Sequence, residues 1–131
     1  MSNFYNLKGR RSIYEVLKRG NRLHGTGIRI TVFKGNKLHE LFSVKVQNTH
    51  EVGSQYFQIG IGITINRRYG SAVERNRAKR RIRAILRELD PHIECGCAII
   101  LSPTVEFKML DYQSAKRQMW LLLRRAGIIG Q

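Results

Sequence analysis

At 131 residues the chain is the size of one domain, and its 42% hydrophobic and 25% charged content excludes the sparse apolar composition of a disordered chain. Against 9 Asp and Glu stand 24 Lys and Arg, a net charge of +15, and so self-repelling a surface asks for a polyanionic partner, of which nucleic acid is the commonest. No apolar run nears the roughly 20 residues of a membrane span, and residues 1–11 lack a secretory apolar stretch, so no membrane partner and a cytoplasmic location are expected.

Residues 7–20 (LKGRRSIYEVLKRG) place Ile13, Val16 and Leu17 on one helical face, with Ser12 and Glu15 at capping-box spacing and Gly20 as the stop. Residues 22–34 then alternate, Ile28, Ile30 and Val32 against Arg29, Thr31 and Phe33, which predicts a strand, with a turn at Gly35-Asn36. A second alternating stretch, residues 41–46, predicts a strand, and the polar residues 47–55 a loop. Residues 57–65 (FQIGIGITI) put Ile59, Ile61, Ile63 and Ile65 on one face and Gly60 and Gly62 on the other, a central strand with one smooth side on which something lies close.

Ser71 and Glu74 form another capping-box pattern, opening a helix over 72–89 that Asp90-Pro91 ends. Residues 97–101 (CAIIL) predict a buried strand stopped by Ser102-Pro103. A last helix over 111–126 turns Tyr112, Ala115, Met119, Leu122 and Ala126 inward and closes at Gly127. Helix, strands, helix, strand, helix is an α+β order, expected as a two-layer sandwich of a four-stranded sheet and three helices in a single domain, residues 1–131. Cys95 and Cys97 flank one glycine with no further cysteine, and are expected as reduced structural thiols.

The informative segment is 66–88 (NRRYGSAVERNRAKRRIRAILRE). On a helical wheel Ala78, Ile82, Ile85, Leu86 and Leu89 fall in an arc about 100° wide, the core stripe, while Asn76, Arg77, Lys79, Arg80, Arg81, Arg83 and Arg87 fill an arc of about 200°. A solvated face would interleave acids at i,i+4, yet only Glu74 and Glu88 accompany seven basic residues from Arg75 to Arg87. Something external must neutralise the repulsion. Arginine predominates, and its planar fork suits bidentate phosphate contacts and stacking on bases. Asn66, Arg67, Arg68 and Gly70 lie where strand passes to helix, beside a helix N-terminus that favours anions.

Gly70, Ala72-Val73, Arg75-Asn76-Arg77, Lys79-Arg80 and Arg83 reproduce without gaps the pattern G-x-A-V-x-R-N-R-x-K-R-x-x-R, by which the chain resembles the protein subunit of bacterial ribonuclease P. The resemblance extends to the first helix, at Leu7, Ile13, Val16, Leu17, Lys18 and Gly20, and to the late strand and last helix. It implies a sandwich with a left-handed βαβ crossover, as in the second domain of a ribosomal protein, against the right-handed rule. It implies that Arg67, Arg68, Arg75, Asn76, Arg77, Lys79, Arg80 and Arg83 meet the catalytic RNA. It also implies that a cleft lined by Ile13, Leu17, Arg29 and Thr31 holds the single-stranded 5′ leader of precursor tRNA. Positions of the first helix that are aromatic in the family are Ile13 and Leu17 here, so they cannot stack on bases. Residues 37–55 also look longer than the family's connection.

The residues themselves hold no protein catalytic centre: His24, His39, His50 and His92 are scattered, and no carboxylate cluster suits a two-metal nuclease. Chemistry is therefore expected in the RNA partner, with magnesium bound chiefly by RNA, in an endonuclease of tRNA processing whose protein is a subunit. The alternative is a ribosomal or other structural RNA-binding protein. A DNA partner is not expected, because no helix-turn-helix or zipper accompanies the basic helix.

Overall fold

The computed structural model describes residues 4–7, 9–34, 59–93 and 96–130. Its strands are β1 (Phe4–Asn6), β2 (Asn21–His24), β3 (Ile28–Lys34), β4 (Ile59–Ile63) and β5 (Cys97–Pro103), and its helices α1 (Arg10–Arg19), α2 (Ala72–Leu89) and α3 (Tyr112–Arg125). The strands form one mixed sheet in the order β1-β4-β5-β3-β2. β4 runs parallel to both β1 and β5, whereas β3 is antiparallel to both β5 and β2. The architecture is α+β with three helices, as expected, and β4-α2-β5 is its parallel crossover.

The sheet has five strands among the described residues where four were expected. Residues 22–34 fold as a hairpin instead of one strand: Gly27 adopts φ +80°, and the Gly25 amide donates to the Ile28 carbonyl at 2.9 Å. That positive φ is cheap only for glycine. β1 adds a three-residue edge, paired from Phe4↔Ile59 to Asn6↔Ile61. β5 runs through the expected stop at Ser102-Pro103, because Ile28 pairs with Pro103 in register. The strand expected over 41–46, the loop over 47–55, the turn at Gly35-Asn36, and Cys95 all lie outside the described residues.

The larger core lies on one face of the sheet, where Ile28, Ile30, Val32, Ile59, Ile99 and Leu101 meet α2 and α3. The α2 residues buried there are Ala78, Ile82, Ile85, Leu86 and Leu89, the stripe read from the wheel. α3 buries Ala115, Met119, Leu122 and also Leu123. A smaller cluster occupies the other face, where Val16 of α1 packs with Leu7, Ala98 and Ile100. α1 thus adds a partial third layer to the two expected. The smooth side of β4 is its seat: a Cβ on Gly62 would stand 3.6 Å from Ile13 and from Leu7.

α1 begins earlier than the Ser12–Glu15 capping-box spacing suggests. Gly9 is the N-cap with no side-chain bond, so Ser12 lies inside the helix and Glu15 instead pairs with Arg19 at 3.0 Å. Cys97 is buried in β5. Among the described residues no helix is long and apolar enough to cross a membrane.

Candidate nucleic-acid interface

The approach to α2 is built by short-range bonds. Asn66 caps a 3-10 turn, Arg67–Tyr69, by accepting from the Arg68 amide at 2.9 Å. Tyr69 is buried and anchors the turn. Arg67 and Arg68 are left exposed beside it. The Ser71 hydroxyl accepts from the Glu74 amide at 3.2 Å and the Glu74 carboxylate accepts from the Ser71 amide at 3.0 Å, which completes the capping box. Lys108 closes on Glu74 at 3.0 Å and sits 4.9 Å above the Tyr69 ring.

Gly70 is required at this joint. It adopts φ +157°, and a Cβ there would meet a Glu74 carboxylate oxygen at 2.6 Å and the Lys108 ammonium at 2.7 Å. Gly70→Ala is expected to displace Glu74 from the cap and lower stability by ~1–2 kcal/mol, the scale of a lost N-cap. Denaturant unfolding of the two proteins measures it.

Glu74 is held well below the usual carboxylate range, at about 2, first by its bond from the Ser71 amide and then by Lys108. A carboxyl whose folded value is depressed stabilises the fold in its ionised form, and that contribution is lost as protons bind. Stability is therefore expected to fall as pH drops from about 4.5 toward about 2. Glu74→Gln should make the decline shallower in that window, as measured by unfolding at stepped pH.

Along α2 the exposed side chains are Asn76, Arg77, Arg80, Arg83 and Arg87, with Arg75 and Lys79 half-buried on their flanks. Arg77 to Arg87 spans about 15 Å of helix at ~1.5 Å per residue. Among the described residues none of Arg67, Arg68, Arg75, Arg77, Lys79, Arg80, Arg83 and Arg87 forms an ion pair. The nearby acids are engaged elsewhere. Glu74 is taken by the cap and Lys108, while Glu88 accepts from the Tyr112 hydroxyl at 2.7 Å and meets Lys116 at 3.6 Å. Asp111 caps α3 through the Ser114 amide at 2.7 Å. The guanidinium row is therefore uncompensated.

Arg81 departs from the wheel. Its guanidinium donates to the Leu110 carbonyl at 2.7 Å and lies 6.0 Å from the Phe107 ring centre. It fastens α2 to the 3-10 segment Val105–Met109 and is withdrawn from the cationic face.

The four residues expected to line a leader cleft lie on the opposite side of the sheet. Ile13 and Leu17 are half-buried over the smaller apolar cluster. Thr31 is 2% exposed, tucked where a Cβ on Gly20 would stand 2.8 Å from its methyl. It is buried and offers no contact surface. Arg29 is exposed, two residues along β3. It faces Ser102 in register, and Ser102 shares a 2.6 Å hydrogen bond with Thr64. His24 pairs with Arg29 in register and is exposed. Register puts His24, Thr64 and Ser102 on the Arg29 side, so strand pairing reveals polar neighbours that the sequence reading left out. Tyr14 was also left out: it is 58% exposed on α1, with Lys18 5.9 Å from its ring centre.

The family model for ribonuclease P matches residues 1–127. The chain belongs to the ribonuclease P protein family. The ribonuclease P protein component of Bacillus cereus is 26% identical over 112 residues, 86% of this chain and 96% of that protein. That of Ligilactobacillus salivarius is 34% identical over 73 residues, which are 54% of this chain and 63% of its relative, a little under two thirds. A solved structure of the RNase P protein from Thermotoga maritima superposes with a TM-score of 0.69 at 25% identity, over 92% of this chain and 96% of that one. The RNase P protein of Staphylococcus aureus, 18% identical, shares the fold with a TM-score of 0.70 over 100% of this chain and 96% of that one.

Proposed function

We propose that this chain is the protein subunit of a ribonuclease P ribonucleoprotein, acting in the cytoplasm to assist endonucleolytic 5′ maturation of tRNA. The α2 face binds the catalytic RNA through Arg67, Arg68, Arg75, Asn76, Arg77, Lys79, Arg80 and Arg83. The observation that carries this is the row of arginines on α2 with no acidic partner among the described residues, which is the electrostatic footprint of a phosphate backbone. On the other side of the sheet, Arg29 is the group of the leader cleft that meets the 5′ leader of precursor tRNA, while Ile13, Leu17 and Thr31 shape the surface beneath.

Hydrolysis belongs to the RNA in this reading. Magnesium prefers hard oxygen ligands in octahedral array and keeps much of its water, which RNA phosphates accommodate. Among the described residues no group of His, Cys, Asp or Glu side chains gathers as a metal site. The protein's own work is to lower phosphate repulsion and orient substrate.

The experiment adds the protein to a bacterial-type catalytic RNA at low magnesium and follows 5′ cleavage of precursor tRNA. The reading expects faster turnover than with RNA alone. An unchanged rate at saturating protein would refute it.

A further inference from the structure

A second feature lies beside the cationic row, at the edge of the sheet. Between β1 and the second half of α2 is a cavity of about 250 Å³, lined by Phe4, Asn6, Ile61, Arg83, Leu86 and Arg87. Ile61 and Leu86 are buried and form an apolar floor with the half-buried Phe4. Arg83 and Arg87, one helical turn apart and both exposed, stand at its rim with Asn6.

The chemistry of this lining is selective. A bare phosphate would satisfy the two guanidiniums and leave the apolar floor unmatched. An aliphatic ligand would match the floor and leave the guanidiniums facing nothing. A planar heteroaromatic ring joined to phosphates matches both, since arginine binds phosphate through its fork and lies flat on aromatic rings, and the Asn6 amide offers both a donor and an acceptor. The volume is below the roughly 300–1,000 Å³ of drug-sized sites, which suits one base and not a longer segment. Among the described residues no acid lines the cavity to oppose a nucleotide.

We propose that this cavity receives one unstacked base of the RNA on which α2 docks, with Arg83 and Arg87 holding the flanking phosphates. The proposal rests on the docking described above and deepens it: the face then contributes a base contact in addition to charge.

Two arms test it. In the first, adenosine 5′-monophosphate and ribose 5-phosphate are titrated separately into the full chain, and the methyl resonances of Ile61 and Leu86 are followed by NMR. The nucleotide is expected to shift both methyls saturably, and the sugar phosphate to leave them in place. Equal shifts with the two compounds, or none with the nucleotide, would overturn the base site.

In the second arm Asn6→Trp fills the mouth from an exposed edge position, with folding checked by circular dichroism. Affinity for the catalytic RNA is expected to fall about tenfold, the scale of one lost stacking contact. The salt dependence should keep its slope, because no phosphate contact is removed. Arg83→Ala, in contrast, should flatten the slope. Full affinity in a folded Asn6→Trp protein would count against the proposal. Failure of the unaltered protein to bind the RNA would sink the docking reading itself, while the nucleotide arm would still decide whether the cavity takes a base.

Discussion

Replacing Arg77, Arg80 and Arg83 together by alanine will weaken binding to the catalytic RNA and flatten the plot of log affinity against log salt by about 2 to 3. The magnitude follows from ~0.7–0.9 in slope for each phosphate contact and its released counterions. All three side chains are exposed and without ion-pair partners among the described residues, so nothing in the fold is lost with them. Surface changes of this kind alter stability by only about ±0.5 kcal/mol each, and removing mutual repulsion offsets part of that. Unchanged melting beside a collapsed salt slope is the expected signature. Lys116→Ala is the control: Lys116 already faces Glu88 at 3.6 Å, and its loss should leave the slope where it was. Filter binding from low to moderate salt measures all three proteins, and parallel lines for the triple variant and the unaltered chain would show that the row faces something else.

Phe107→Ala will be the most destabilising single change near the interface, costing ~3–5 kcal/mol, the range for removing a buried aromatic ring. Phe107 is 1% exposed. Its ring underlies Arg81 at 6.0 Å, and the 3-10 segment that carries it supplies Lys108 to Glu74, while Leu110, which caps that segment, gives its carbonyl to Arg81. The cavity left by the ring therefore loosens the segment that fixes the first half of α2. Chemical denaturation gives the stability difference directly. A loss below ~1 kcal/mol would mean that neighbouring side chains collapse into the space and that α2 does not depend on this anchor.

The parts legible in the sequence are those whose physics is local. The α2 limits, its cap and its core stripe follow from Ser71, Glu74 and an apolar period of 3.6, and all three agree with the structure. The alternation of Ile28, Ile30 and Val32 against Arg29, Thr31 and Phe33 likewise separates the two faces of β3. Three features depend on partners distant in the chain, and a fourth is local. Arg81 sits in the cationic arc by angle, and only the Leu110 carbonyl, 29 residues on, withdraws it. Thr31 shares a face with Arg29 by alternation, but the end of α1 closes over Thr31 alone. β1 is three residues long, too short to show a period, and exists because β4 offers it an edge. The hairpin turn at Gly25–Gly27 was hidden by an alternating pattern that continues on both sides of it, although its glycines were the available signal.

The uncompensated arginine row is the physical basis of the proposed nucleic-acid partner. Glu74, Glu88 and Asp111 are each bound to a cap, a hydroxyl or a lysine outside the row, so none of the three quenches the positive field of the face. A surface of that kind is unfavourable to the isolated protein through self-repulsion and becomes favourable on release of counterions from a phosphate backbone.

The most direct measurement is a hydroxyl-radical footprint of the catalytic RNA at physiological ionic strength, taken with the unaltered protein and with the Arg77→Ala, Arg80→Ala, Arg83→Ala triple variant. Docking through α2 predicts a protected tract of backbone that the unaltered protein produces and the variant leaves open. A footprint identical for both proteins would contradict the assignment of this face to the RNA.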